Sequence, residues 1–118
     1  MTRAATLRAP LAALLLLGLA ASARGADERV IKVTARKFEF TPSTITVKVG
    51  EPVVIELTSL DRRHGFQAPD LHVDVTIDPG KPTLVHLKAD KPGTYEFHCS
   101  VFCGSGHEDM TGVIVVQP

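Results

Sequence analysis

The sequence predicts an all-β fold, a Greek-key β-sandwich, and three observations predict it. From Arg29 onward, short segments alternate apolar and polar residues, so each can bury one face as a strand. Turn signals rich in Pro, Gly and Asp separate these segments at regular spacing. Beyond the N-terminal leader no stretch carries a helical period. Together these point to an antiparallel sandwich of Greek-key type. With 118 residues and a hydrophobic fraction of 44%, the chain suffices for one small domain.

The leader comes first. Arg3 and Arg8 precede an uncharged Leu/Ala-rich run from Ala9 to Ala23, the pattern of a secretory signal peptide. Ala21-Ser22-Ala23 fits a cleavage site, which sets residues 1–23 apart as signal peptide, with cleavage possible as far as residue 26. The apolar run is short for a bilayer span, which needs about 20 residues, so an uncleaved membrane anchor is the weaker alternative. No cysteine lies near the site, which excludes a lipoprotein. The expected destination is an oxidising compartment, a bacterial periplasm. Lys plus Arg number 13, as do Asp plus Glu. Losing Arg3 and Arg8 leaves residues 24–118 slightly acidic, which suggests neither nucleic acid nor an anionic membrane surface as partner.

The strands follow in order. VIKVTA alternates from Val30, and Lys37-Phe38-Glu39-Phe40 keeps the same period with both phenylalanines on one side. Pro42 punctuates before ITVKVG, from Ile45 to Gly50, and Pro52 opens a strand from Val53 to Thr58. Val73–Ile77 alternates ahead of the turn Asp78-Pro79-Gly80. Thr83–Leu87, Thr94–His98 and Val113–Val116 complete the set, with Asp90-Lys91-Pro92-Gly93 turning the chain before Thr94.

The chemistry concentrates in HCSVFCGSGHEDMTG, His98 to Gly112. It holds both cysteines, Cys99 and Cys103, together with His107 and Met110, the one methionine besides the initiator. Thiolate, imidazole and thioether are donors that suit copper far better than magnesium or calcium. Gly104, Ser105 and Gly106 let a short loop curl tightly, and no regular period brings all four donors to one face. A further donor should come from elsewhere, and His64 is the best candidate. Between Arg63 and Gly65 it has no place in a strand's alternation, and Gly65 permits close approach of the backbone to a neighbour.

Plainer readings stand beside this one. Two cysteines four apart in an oxidising compartment often form a disulfide. Such a bridge closes a very short loop, gains little, and leaves His107 and Met110 unexplained. Met110 could be core filler and His107 an exposed loop histidine. His72, His86 and His98 read as surface or edge histidines, His72 beginning a strand after Leu71 and His98 pointing away from the Cys99 face. Asp61, Arg62 and Arg63 read as a solvated turn. A mononuclear blue copper site needs one Cys, two His and a weak Met, which Cys103, His64, His107 and Met110 could supply, leaving Cys99 free.

HGFQAPDLHVDVTIDPG followed by YEFHCSVFCGSGHEDMTG resembles the cupredoxin domain carrying the dinuclear copper A centre. That domain occurs in subunit II of cytochrome c oxidases and in nitrous oxide reductases. The resemblance runs from Val30 to the end and rests on C-x3-C-x3-H-x2-M plus a histidine opening H-[SG]-F. It implies that 24–118 is a cupredoxin domain in which Cys99 and Cys103 bridge two copper ions. His64 and His107 would each ligate one ion, with Met110 a weak ligand to one and the Val101 backbone carbonyl a ligand to the other. The additional Cys99 belongs to the dinuclear pattern. The implied function is single-electron transfer between periplasmic redox proteins, a cytochrome or an oxidase or reductase, by a protein that is not an enzyme. The alternative is copper delivery, storage or resistance with a copper-trafficking partner, using the same ligands.

The sequence also departs from that family. Position 101 is Val where Glu is usual, and Asp74, Thr76 and Lys81 replace the Lys-x-Asp and Arg that flank the Pro-Gly turn in oxidases. There is no tryptophan, so the aromatic stretch that receives electrons in oxidase subunits is absent. Neither paired transmembrane helices nor a preceding catalytic domain are seen. The expectation is a free-standing relative.

Overall fold

The computed structural model describes residues 28–118, with Thr2, Ala4 and Ala5; apart from those three residues, the expected signal peptide, with its cleavage site, lies outside the described residues. Nine strands follow one another: β1 Arg29–Arg36, β2 Glu39–Thr41, β3 Thr44–Lys48, β4 Val53–Ser59, β5 His64–Ala68, β6 Val73–Ile77, β7 Thr83–Leu87, β8 Gly93–His98 and β9 Thr111–Gln117. One sheet has the order β2-β1-β4-β7 and the other β3-β9-β8-β5-β6, making the predicted sandwich. Among the described residues no helix is long and apolar enough to cross a membrane.

Alternation sets which side faces inward. Val33 and Ala35 of β1, Ile45 and Val47 of β3, and Ile114 and Val116 of β9 are buried between the sheets. Central β4, flanked by β1 and β7, buries Val53, Ile55 and Leu57 between the sheets, and Val54 on its outer face is buried as well. Tyr95 ties the turn before β8 by donating its hydroxyl to the Lys91 carbonyl at 2.8 Å.

Two pairings differ from the antiparallel expectation: β1 runs parallel to β4, and β3 parallel to β9. The cause is the crossover. After β1 the chain passes through β2 into the other sheet as β3, then returns beside β1 as β4. Parallel neighbours need such a long connection, and alternation reads the same in either orientation.

Three segments also differ from their sequence reading, two of them, around His64 and Phe38, at the end of the sandwich that carries the Cys99–Met110 loop. His64 opens a strand, β5, paired with Ile77 of β6. Its pattern hid because four of its five residues are buried, so polar and apolar do not alternate. His72 does not begin β6 but takes a left-handed conformation (φ 57°) after a short 3-10 turn, Pro69–Leu71. Phe38 and Phe40 part company: Phe40 enters the core on β2, whereas Phe38 sits half-buried in the turn before it.

Phe40, Phe66 and Phe97 join the sheets beneath that end. Phe66 and Phe97 stack at 4.6 Å between ring centroids. Phe40 meets their edges at 5.8 and 5.1 Å. Edge-to-face and offset pairs of this kind add to the burial of the rings. Phe97→Ala should lower unfolding free energy by about 3–5 kcal/mol, measured by chemical denaturation of the reduced, metal-free protein.

Candidate metal centre

β8 delivers Cys99 and β9 receives Met110. Between them the loop is closed by the His98–Thr111 pair and by the Cys99 N–H donating to the Met110 carbonyl at 3.0 Å. Cys99 lies two residues beyond Phe97, so it faces inward from the end of the strand, and His64 does the same two residues before Phe66. A second 3-10 turn, His107–Asp109, follows Gly106 and returns the chain to Met110.

The residues singled out in the sequence come together at this end. The donor atoms of His64, Cys99 and Cys103 lie within 4.8 Å of one another, and all three residues are buried. Cys99 Sγ stands 3.9 Å from His64 Nδ1, 3.9 Å from Cys103 Sγ and 3.1 Å from the Val101 carbonyl. Cys103 Sγ stands 3.5 Å from His107 Nδ1 and 3.8 Å from Met110 Sδ. Two donors that each sit about 2.0–2.3 Å from a shared tetrahedral ion are about 3.3–3.8 Å apart. The donor spacing and the soft donor chemistry therefore both fit copper. The cysteines are free, with sulfurs far beyond the roughly 2.05 Å of a disulfide.

His86 and His72 are exposed and stand outside this cluster, and His86 pairs instead with Glu28 at 3.0 Å. Half-buried His98 alternates with Phe97 and Cys99 and lines a cleft of about 530 Å³ with Glu96, His107 and Glu108.

Asp61 belongs to the site, although the sequence offers it only as part of a solvated turn. Its Oδ1 accepts from His64 Nε2 at 2.6 Å and from the Arg62 N–H at 2.7 Å, and its Oδ2 accepts from the Lys37 N–H at 2.8 Å. Partial burial works against the carboxylate, but these hydrogen bonds outweigh it and hold the Asp61 pKa down at about 2. A proton fixed on Nε2 leaves Nδ1 as the free lone pair, aimed at Cys99. The signal that could have found it is position: a carboxylate three residues before a histidine, across a bend, reaches the ring. Arg62 and Arg63 stay on the surface, with Arg63 paired to Asp78 at 2.7 Å.

The two thiols are held differently. Burial, reinforced by the neighbouring Cys99, pushes the Cys103 thiol up to about 11. Cys99 instead accepts the Gly65 N–H at 3.4 Å. That contact needs Gly65 itself: a Cβ there would stand 2.1 Å from Ser100 Oγ and 2.9 Å from the Ser100 and Val101 nitrogens. On the solvent side, Phe102 is 70% exposed, with its ring 5.7 Å from that of half-buried His107.

A model of the cupredoxin-like domain matches residues 9–116. Cytochrome c oxidase subunit 2 of Thermus thermophilus is 34% identical over 93 residues, covering 79% of this chain and 69% of that protein. Nitrous-oxide reductase of Stutzerimonas stutzeri is 32% identical over 92 residues, covering 75% of this chain but 14% of the reductase. In fold, the chain superposes on the periplasmic domain of subunit II of cytochrome oxidase (CoxB) of Bradyrhizobium japonicum with a TM-score of 0.69 at 23% identity, covering 75% and 83% of the two chains.

Because the obstructing atoms at Gly65 are mostly backbone, Gly65→Ala should displace the Ser100–Val101 segment. The expected loss is about 1–3 kcal/mol, measured by denaturation. An unchanged midpoint would mean that the Ser100–Val101 segment yields freely there.

Proposed function

The chain belongs to the cupredoxin-like domain family, and on that ground we propose that it binds copper in a dinuclear, copper A-like centre and passes single electrons between protein partners. One observation carries the reading: two buried, unbonded thiols converge with two imidazole Nδ1 atoms, a thioether and a backbone carbonyl. In this reading Cys99 and Cys103 would supply the thiolates shared by the copper pair, and His64 and His107 would supply an imidazole each. Met110 would add a weak thioether donor beside Cys103, and the Val101 carbonyl an oxygen donor beside Cys99. Bound there, the copper pair supplies a one-electron couple whose charge is spread over two metals and two sulfurs. The protein's own part is to keep the donors still. The sandwich fixes Cys99 and His64, the Asp61 carboxylate fixes the His64 ring, and burial keeps water from the thiols. Small rearrangement between oxidation states is what fast electron transfer requires.

The mononuclear alternative leaves Cys99 idle, although it shares the donor cluster on equal terms. The chain is not itself an enzyme, whereas its oxidase homologue is a subunit of one. We place it in the periplasm, delivered by the signal peptide at residues 1–23. Its partner there would be a cytochrome, an oxidase or a reductase.

Reconstitution of the reduced protein with copper tests the function. The expected result is two coppers per chain and a purple species whose unpaired electron is shared over both nuclei by electron paramagnetic resonance. One copper with a blue thiolate band would make the site mononuclear. Cu(I) that cannot be oxidised without being lost would turn the reading to copper delivery or storage. Absence of binding would leave a sandwich without metal. Cys103→Ala should abolish the dinuclear signature, Met110→Leu should keep copper but shift the potential, and His86→Ala should change neither.

Acid should weaken the complex. Cys103, raised to about 11, keeps its proton at neutral pH, so copper must displace it. Affinity for Cu(I) should then fall about tenfold per pH unit for each thiol proton displaced. Competition against a chelator between about pH 6 and about pH 8 measures this, and a flat profile would remove Cys103 from the ligand set.

A further inference from the structure

The turn Lys37–Phe38 reaches toward both histidines of the site, through Asp61 to His64 and through Gly104 and Gly106 to His107. On one side, the Lys37 N–H donates to Asp61 Oδ2 at 2.8 Å, and Asp61 Oδ1 accepts from His64 Nε2 at 2.6 Å. On the other, the Phe38 ring lies flat against the glycines that lead into His107. A Cβ on Gly104 would be 3.2 Å from Phe38 Cε1 and Cζ, and one on Gly106 would be 3.0 Å from Phe38 Cδ2. Both glycines have positive φ, 136° and 110°, so the backbone between them takes a path that side chains would resist. That path starts the turn in which the His107 N–H donates to the Gly104 carbonyl at 3.2 Å. Phe38 is itself half-buried against the core.

We propose that the Lys37–Phe38 turn is a positioning clamp that holds His64 and His107 together in register with the cysteines, Phe38 being its principal residue. It acts on His64 through a relayed hydrogen bond and on His107 through a flat apolar backing. The two histidines come from segments more than forty positions apart and stand beside different cysteines, so a single turn bracing both fixes their separation. The clamp deepens the copper reading and, as far as it concerns copper, rests on it; its effect on the two rings does not.

The test therefore has a metal-free arm. In reduced apoprotein labelled with 15N at histidine, Phe38→Ala should move or broaden the ring signals of both His64 and His107 while leaving His86 in place. Asp61→Ala should move His64 alone. In copper-loaded protein, Phe38→Ala should speed copper loss to a chelator by about tenfold or more. It should also shift the potential and make the hyperfine coupling of the two nuclei unequal. Phe38→Leu, which keeps bulk but not a flat ring, should fall between, and it carries the test should Phe38→Ala not fold. A lowered melting temperature with both histidine signals unmoved would overturn the clamp and leave Phe38 a packing residue. Protein that takes up no copper but shows both signals moved would sustain the clamp while refuting the copper reading.

Discussion

Bringing four soft side chains to one point takes a stretch of chain that no helix or strand can provide. Such a stretch must be fastened at both ends to something rigid. Here the fastening is the hydrogen bond from the Cys99 N–H to the Met110 carbonyl at 3.0 Å, which continues the β8–β9 ladder by one rung. Inside that rung the backbone is free to curl; outside it, Phe97 and Ile114 are fixed in the core. The first and last donors of the loop thus inherit the sheet's geometry. Cys103 and His107 depend on what packs against the loop: Met110 below, Phe38 beside the glycines, Ser100 over Gly65.

Much of this was legible in the sequence. Strands with one wet face, such as β3 with Ile45 and Val47 inward, announced themselves by alternation. The loop donors were legible because C-x3-C-x3-H-x2-M lies in one continuous stretch. What stayed hidden was whatever depends on contact between distant segments. β5 shows no alternation because the Ser100–Val101 segment covers Gly65 from the outside. Asp61 looks like any turn aspartate until the fold turns His64 back over it and brings the Lys37 N–H from another strand connection. Phe38 has the same period as Phe40, yet its ring packs on the loop glycines and only borders the core. The sheet orientation of β1 with β4 was equally beyond the pattern, since both orientations bury the same residues.

The layered support around the histidines has a physical logic. Imidazole is a weakly directional group until its second nitrogen is engaged, and a carboxylate there settles both tautomer and ring angle. Asp61 is in turn immobilised by three donors, two of them main-chain amides that cannot rotate away. Precision is handed down from rigid backbone to carboxylate to ring. Such a chain tolerates change at its exposed end, Arg62 or Arg63, better than at any of its hydrogen-bonded links.

The two histidines also differ in what surrounds them. His64 is sealed inside the sandwich, while His107 is half-buried next to the exposed ring of Phe102. A charge arriving near His64 is felt through a medium of low permittivity, whereas one near His107 is partly screened by solvent. The cluster is thus polar in a dielectric sense even though its donors are chemically paired. Its quiet pole is set by the protein interior. Its responsive pole lies where ionic strength, or a molecule settling over Phe102 and displacing water, would alter the local field.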